Sequence, residues 1–322
     1  MLAVVIDKYG SADVMRVGEV PVPVPRRRDV LVRVRAAAIN PADWKMRQGN
    51  PMSGKLHSPV VIGLDLAGDV VSAGPEATRF KAGDAVFGFL PITRPGSYAQ
   101  FAAVPERALA LKPAKTTYAE AASMPVAATT AVLALRDKGH VHAGSRVLIL
   151  GASGGVGTAA VQIGKILGAH VTGVCSGKNA ELVKSLGCDR VVDYKQQDPK
   201  KLEERFDVIL NAATYEYSDC KHLLASPGVF VTITPSLSAL VPVLLGLLPL
   251  RKRAKMFLAS PRQDIIQDVA SWLEAGKLRP IIEKVYPAAE AVQAHKDSEA
   301  GRARGKLVLD IESFGKAASA SA

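Results

Sequence analysis

Residues Val147–Leu150 form an apolar run that leads into Gly151-Ala152-Ser153-Gly154-Gly155-Val156-Gly157, and the pattern then turns helical over Thr158–Leu167. Such a strand, glycine turn and helix suit one kind of chemistry. Glycine lets the backbone approach a pyrophosphate, and the helix start offers unpaired N–H groups and the positive end of a dipole. A glycine trio alone also fits an ordinary tight turn, but both flanks here meet the required context. The expectation is a bound nicotinamide dinucleotide.

The next strand, His170–Val174, should end on an acid if the adenosine ribose carries free hydroxyls. The sequence there is Cys175-Ser176-Gly177-Lys178-Asn179. A hydroxyl and a cation suit a 2′-phosphate, which points to NADPH, with Ser176 and Lys178 as its ligands. A solvated Lys178 is the plainer alternative, though a lysine at a helix start opposes the dipole unless an anion sits there.

The whole chain is consistent with an enzyme of two domains. It has 322 residues, 48% hydrophobic and 22% charged, which is ordinary for globular proteins. The formal charge is +11, but the basic residues are scattered and not interleaved with aromatics, and no recognition motif accompanies them. Specific nucleic-acid binding is therefore not expected. Cys175, Cys188 and Cys220 have no regular spacing and read as reduced structural thiols. The first strand is read at Leu2–Ile6, which leaves no space for a leader peptide, so a cytoplasmic protein is expected.

Hydrophobic periodicity divides the chain. Short alternating segments punctuated by Pro and Gly run to about Leu111 and mark a β unit: Val30–Val34, Asp69–Ser72, Ala85–Phe87 and Tyr98–Val104. Strands then alternate with helices: Arg146–Leu150, His170–Val174, Arg190–Val192, Asp207–Leu210 and Val229–Ile233. That alternation predicts an α/β, doubly wound parallel sheet. A helix over Asp264–Ala275, a strand over Ile281–Tyr286, a helix over Ala288–Ser298 and a strand over Lys306–Ile311 return the chain to the first unit. The expected domains are 1–123 with 262–322, and an inserted 124–261.

Several motifs in one order carry a family resemblance: Ala37-Ala38-Ile39-Asn40-Pro41-Ala42-Asp43-Trp44-Lys45, Gly63-Leu64-Asp65-Leu66-Ala67-Gly68, Gly83-Asp84-Ala85-Val86, Gly151–Gly157, and Gly301-Arg302-Ala303-Arg304-Gly305-Lys306. Together they resemble the zinc-independent quinone oxidoreductase branch of the medium-chain dehydrogenase/reductase superfamily, and within it the enone oxidoreductases. The resemblance implies a GroES-like β domain plus a Rossmann domain, an interdomain active site, NADPH and a homodimer paired through the Rossmann sheet. It also implies further cofactor contacts at Thr130 and Tyr194, at Ile233, Thr234, Phe257 and Leu258 near the nicotinamide, and at Lys306 on the phosphate side. Zinc-dependent relatives carry Cys at the position of Asn40 and His-Glu at Leu64-Asp65, and leucine cannot ligate zinc. His140 and His142 have no third ligand nearby and read as surface residues.

The implied chemistry is hydride transfer to the β-carbon of an enone or alkenal, or to a quinone. Negative charge then develops on a carbonyl oxygen, and a preorganised donor must meet it. The segment Asn40–Lys45 offers two donors: the Asn40 amide and the Lys45 ammonium, the latter also a proton source if burial lowers its pKa; the plainer alternative for Lys45 is a solvent-facing residue of a short helix. Asp43 reads as an ion-pair partner of Arg47 four residues on, and Trp44 as core or substrate wall. Enoyl-thioester reductases of the superfamily place a tyrosine where this chain has Asn50, which argues against thioester substrates. The alternative is an NADPH-binding regulatory or membrane-peripheral module with little turnover. The apolar run Leu237–Leu250, broken by Pro242, Gly246 and Pro249 and followed by Arg251-Lys252-Arg253, is too short to span a bilayer. It reads as an interface or channel segment after an edge strand Val229–Ile233, or as a loop on an anionic membrane.

Overall fold

The computed structural model describes residues 1–49, 59–234 and 252–315. The Leu237–Leu250 run, Asn50 and Arg251 lie outside these residues. The chain divides into two compact units, one of Met1–Val126, Ser260–Gly276 and Pro280–Ala322, the other of Ala127–Ala259 with Lys277–Arg279.

The first unit is built on β3 (Asp29–Ala38), the longest strand, whose buried valines Val30, Val32 and Val34 alternate with more exposed neighbours. One face therefore meets the core. Strands β5 (Asp65–Ala73), β6 (Ala85–Phe89), β7 (Phe101–Pro105), β8 (Leu109–Leu111), β15 (Ile282–Pro287) and β16 (Lys306–Asp310) complete its sheet, in the order β15-β16-β3-β5-β6-β8 with β7 also on β3. A smaller sheet runs β2-β1-β4, from Met15–Glu19, Leu2–Ile6 and Val60–Val61. Gly68 is dictated by the β3–β5 pairing, since a Cβ there would sit 2.0 Å from the Arg33 carbonyl oxygen. The strand expected over Tyr98–Val104 begins only at Phe101. Before it, Val4 donates to the Tyr98 carbonyl and Gln100 to that of Leu2, so this stretch changes partner from β1 to β3.

Helix α1 (Pro41–Gln48) follows β3 directly, with Pro at its first position where the missing N–H costs nothing. Helix α2 (Tyr118–Ala122) starts at a Thr117–Glu120 capping box, and α3 (Pro125–Val132) follows it. Late in the chain come α7 (Gln263–Glu274), which buries Ile265, Ile266, Val269 and Leu273 along one stripe, and α8 (Ala291–Glu299). The single helix expected over Ala288–Ser298 is a 3₁₀ turn at Ala288–Glu290 followed by α8.

The second unit is a six-stranded parallel sheet ordered β11-β10-β9-β12-β13-β14, from Arg190–Asp193, His170–Cys175, Arg146–Leu150, Phe206–Asn211, Leu224–Thr232 and Lys252–Met256. The order reverses beside β9, the dinucleotide-binding arrangement. Central β9 buries Val147, Leu148, Ile149 and Leu150, as a strand covered on both faces must. Helix α4 (Gly155–Ile166) buries Ala159, Ala160, Val161 and Ile163, and α5 (Ala180–Ser185) and α6 (Tyr217–Cys220) follow later strands. Val229–Ile233 is not the sheet edge, because β14 adds in parallel to β13 along Gly228–Thr232. Among the described residues the edge on that side is β14.

Candidate functional site

The carboxyl ends of the parallel strands gather most of the residues singled out in the second unit. Gly151 has φ +86° and ends β9, so the turn needs a residue without a side chain. At Gly157 a Cβ would lie 2.1 Å from the Gly151 carbonyl oxygen, so this glycine lets α4 pack against the turn. Gly154 differs. It is extended, and the only atom near its hypothetical Cβ is the Gly151 oxygen at 3.6 Å. Its surface is left open, and as N-cap it gives α4 no side-chain cap, which leaves the first-turn N–H groups of Gly155, Val156 and Gly157 for an anion. The Ser153 hydroxyl is held from the neighbouring turn by the Asn179 amide at 3.0 Å.

That neighbouring turn carries Ser176 and exposed Lys178 after β10, while Tyr194, half exposed, follows β11. The parallel register aligns Cys175 with Asp193, and the Tyr194 N–H donates to the Cys175 carbonyl at 3.2 Å. The three residues are thus neighbours at one corner of the sheet. Asp193, which the sequence reading passed over, stands among them. Its Oδ2 lies 2.5 Å from where a Gly177 Cβ would be, and its Oδ1 accepts the Lys195 N–H at 3.0 Å. Only the strand register brings this acid to the end of β10. Burial, and then the Asp193 charge, push the Cys175 thiol up to about 11.

Ile233 and Thr234 follow β13. The Ile233 N–H reaches the Asn211 carbonyl and the Thr234 hydroxyl donates to that of Ala213 at 2.9 Å, so this backbone is fixed to the end of β12. Phe257 and exposed Leu258 follow β14. Thr130 is buried on α3.

The first unit holds a buried polar cluster at the start of α1. Asp43, fully buried, accepts the Asn40 N–H at 2.7 Å and the Tyr98 hydroxyl at 3.1 Å, both on Oδ2. The side chain of Asn40 is occupied twice: Nδ2 donates to Asp65 Oδ2 at 2.9 Å, and Oδ1 accepts from Lys306 Nζ at 2.5 Å. Lys306 also pairs with Asp65 at 3.2 Å, and Asp65 Oδ1 accepts the Val126 N–H at 2.8 Å. Below them, Arg47 reaches Glu299 at 2.5 Å and lies 3.4 Å from His295 Nδ1, while His295 Nε2 lies 3.4 Å from the Tyr98 oxygen. Guanidinium nitrogen only donates, so Nδ1 is the acceptor and Nε2 carries the proton, running the donors from Arg47 through His295 and Tyr98 to Asp43.

Burial dominates the electrostatics. It pushes Asp43 up to about 7, against the lowering pull of the Asn40 N–H, with the Asp65 charge adding to the rise. Asp65 is also raised by burial, opposed chiefly by Lys306. His295 is pushed down to about 3 by burial and then by Arg47, so it is neutral in the fold.

This cluster bears on four of the residues singled out in the sequence. Asp43 does not pair with Arg47; it caps α1 while Arg47 turns to Glu299. The Asn40 amide is committed to Asp65 and Lys306. The Lys306 ammonium is buried in the first unit on those same partners, so it does not stand open for a phosphate. Lys45 is exposed on its own unit, with Nζ 5.4 Å from the Trp44 ring centroid. A Cys or His at 40 or 64 would have announced a metal site. Here Leu64 has no lone pair, and the Lys306 cation already occupies Asp65, a donor set that does not fit zinc. Among the described residues no group of three His, Cys, Asp or Glu is placed to hold a metal.

Comparison with known proteins agrees with both units. Residues 26–114 match the alcohol dehydrogenase GroES-like domain, and residues 186–309 the zinc-binding dehydrogenase family. The chain is 34% identical to a mitochondrial NAD(P)H oxidoreductase of Homo sapiens, over 97% of this chain and 89% of that one. It is 33% identical to the 2-methylene-furan-3-one reductase of Solanum lycopersicum, over 94% and 76%. The solved quinone oxidoreductase of Coxiella burnetii superposes with a TM-score of 0.86 at 28% identity, over 96% and 99%. The chain, with its GroES-like unit and its dinucleotide-type parallel sheet, belongs to the medium-chain dehydrogenase/reductase superfamily.

Proposed function

We propose that this protein is a zinc-independent, NADPH-dependent reductase of α,β-unsaturated carbonyls or quinones. The observation that carries the reading is the turn before α4, where Gly154 is left open and the helix start uncapped while its two flanking glycines are consumed by packing. The names of the relatives, an NAD(P)H oxidoreductase, a furanone reductase and a quinone oxidoreductase, agree with it.

The residues present suit the dinucleotide. Gly154, Gly155, Val156 and Gly157 would take the pyrophosphate through backbone N–H groups, and Ser176, Lys178 and Tyr194 the adenosine 2′-phosphate. Ile233, Thr234, Phe257 and Leu258 would border the nicotinamide end of the same sheet edge, and Thr130 would add a contact from α3. When bound, the nicotinamide supplies a hydride. The chain itself must meet the charge that forms on the acceptor oxygen.

With both ends of the Asn40 side chain occupied, Lys45 is the cationic donor left on this segment, and its Nζ would hydrogen-bond the oxygen and deliver the proton. A preorganised donor of this kind is worth about 3–4 kcal/mol in the transition state. Asn40 then acts indirectly, as the N-cap that orients α1. Edge strand β14 would be the place where two copies pair, and light scattering that finds only monomer removes that part of the proposal.

The test is the initial rate of NADPH and NADH oxidation against short enones, 2-alkenals, a quinone, a saturated ketone and an enoyl-thioester. Turnover on enones or the quinone with NADPH preferred supports the proposal. Tight NADPH binding with no turnover on any of them would favour a binding role instead.

A further inference from the structure

The absence of an acid at the end of β10 pointed to a 2′-phosphate, yet the structure supplies an acid there from the next strand. In a parallel pair, aligned residues project from the same face, and Asp193 of β11 is aligned with Cys175 of β10. Its carboxylate lies against Gly177, close enough that Oδ2 is 2.5 Å from a hypothetical Cβ. A side chain at Gly177 would have to displace this carboxylate. Around it stand two exposed cations, Lys178 and Lys195, neither in an ion pair among the described residues. An anion arriving at Ser176 and Lys178 therefore meets attraction and repulsion at one corner.

We infer that Asp193 is a specificity-determining residue of the nucleotide site, whose carboxylate weakens the hold on a 2′-phosphate and lets the same turn accept a plain ribose. The inference rests on the proposed placement of the dinucleotide at this sheet edge. Lys178 favours the phosphorylated nucleotide and Asp193 opposes it, so the NADPH-to-NADH ratio reports their balance. A carboxylate within one Debye length of a phosphate, about 10 Å at 0.1 M salt, changes its affinity by about three- to tenfold, and less as salt rises.

Asp193 also shapes the loop, accepting the Lys195 N–H on Oδ1 and the Gln196 and Gln197 N–H groups on its carbonyl. A purely structural role would need only that acceptor. Asp193→Asn keeps an amide oxygen for Lys195 and removes the charge, and Asp193→Ser keeps a hydroxyl acceptor if the asparagine variant folds poorly.

The experiment is fluorescence titration of the full chain with NADPH and with NADH at low and high salt, with no substrate present. The expected result is that either variant tightens NADPH about three- to tenfold at low salt, with the gain shrinking in high salt and no tightening of NADH. Unchanged NADPH affinity in a folded variant, or equal shifts for both nucleotides, overturns the inference while leaving the dinucleotide site standing. A wild-type chain that binds neither nucleotide overturns the site and the inference together.

Discussion

Replacing Lys306 by methionine separates a structural account of this residue from a role in holding a phosphate. The ammonium is buried and engaged by Asn40 Oδ1 and Asp65 Oδ2. Removing it leaves Asp65, itself fully buried, with the Asn40 amide and the Val126 N–H but no countercharge. Breaking one side of such a pair costs about 3–5 kcal/mol, most of it the stranded charge. In a unit of this size that corresponds to a fall in Tm of about 2–4 °C for each kcal/mol. Asp65→Asn in the same chain removes the stranded charge and keeps an oxygen for Val126, so the double variant should recover most of the loss. Tryptophan fluorescence reads the right unit, because Trp44 and Trp272 both lie in the first. Urea titrations of the wild type, both single variants and the double variant give the coupling directly. Additive losses would refute the buried pair. An Lys306→Met variant of unchanged stability but weakened NADPH binding would return the residue to the phosphate.

Stability should depend on pH through the same cluster. Asp43 is held up near 7, so its contribution is fully present below about pH 4 and lost as pH rises through 7, about 4 kcal/mol in all. His295, held down near 3, contributes above its ordinary value of 6.5 and loses that as pH falls toward 3. Asp43→Asn should therefore gain stability relative to wild type between pH 5 and 8 by urea midpoint, and a pH-independent difference would remove the Asp43 assignment. Gly157→Ala, with its Cβ 2.1 Å from the Gly151 oxygen, should destabilise the second unit by about 1–3 kcal/mol. Gly154→Ala, which meets nothing closer than 3.6 Å, should leave thermal unfolding nearly unchanged and weaken NADPH binding; the reverse pattern would misplace the pyrophosphate. Lys178→Met should weaken NADPH about tenfold by fluorescence titration and leave NADH unaffected, and equal losses would place the 2′-phosphate elsewhere.

What could be read from the sequence followed local rules. Strand β9 and the glycine turn were legible because an unbroken apolar run and three glycines depend on neighbours within a few residues. The tail strands β15 and β16 were legible for the same reason, to within a residue at each end. Edge strand β14 was missed, since Lys252–Met256 carries mostly long cationic side chains and no alternating signal. The site was not legible where partners are far apart in the chain. Asn40 looked like a free donor because Asp65 and Lys306 lie 25 and 266 residues away. Asp43 and Arg47 have ideal helical spacing, yet the Asn40 N–H and Tyr98 hydroxyl hold the one and Glu299 the other. Asp193 depended on a register that no local pattern encodes.

The central claim is that hydride passes to the β-carbon of a conjugated carbonyl while Lys45 serves its oxygen. Its most direct test is one turnover of an enone with NADPH deuterated at nicotinamide C4, using both stereoisomers, with the product read by NMR. One isomer should place deuterium on the β-carbon, and Lys45→Met should slow that transfer by about 10²-fold or more while nucleotide affinity holds. Deuterium at the carbonyl carbon, or in neither position, would contradict the account.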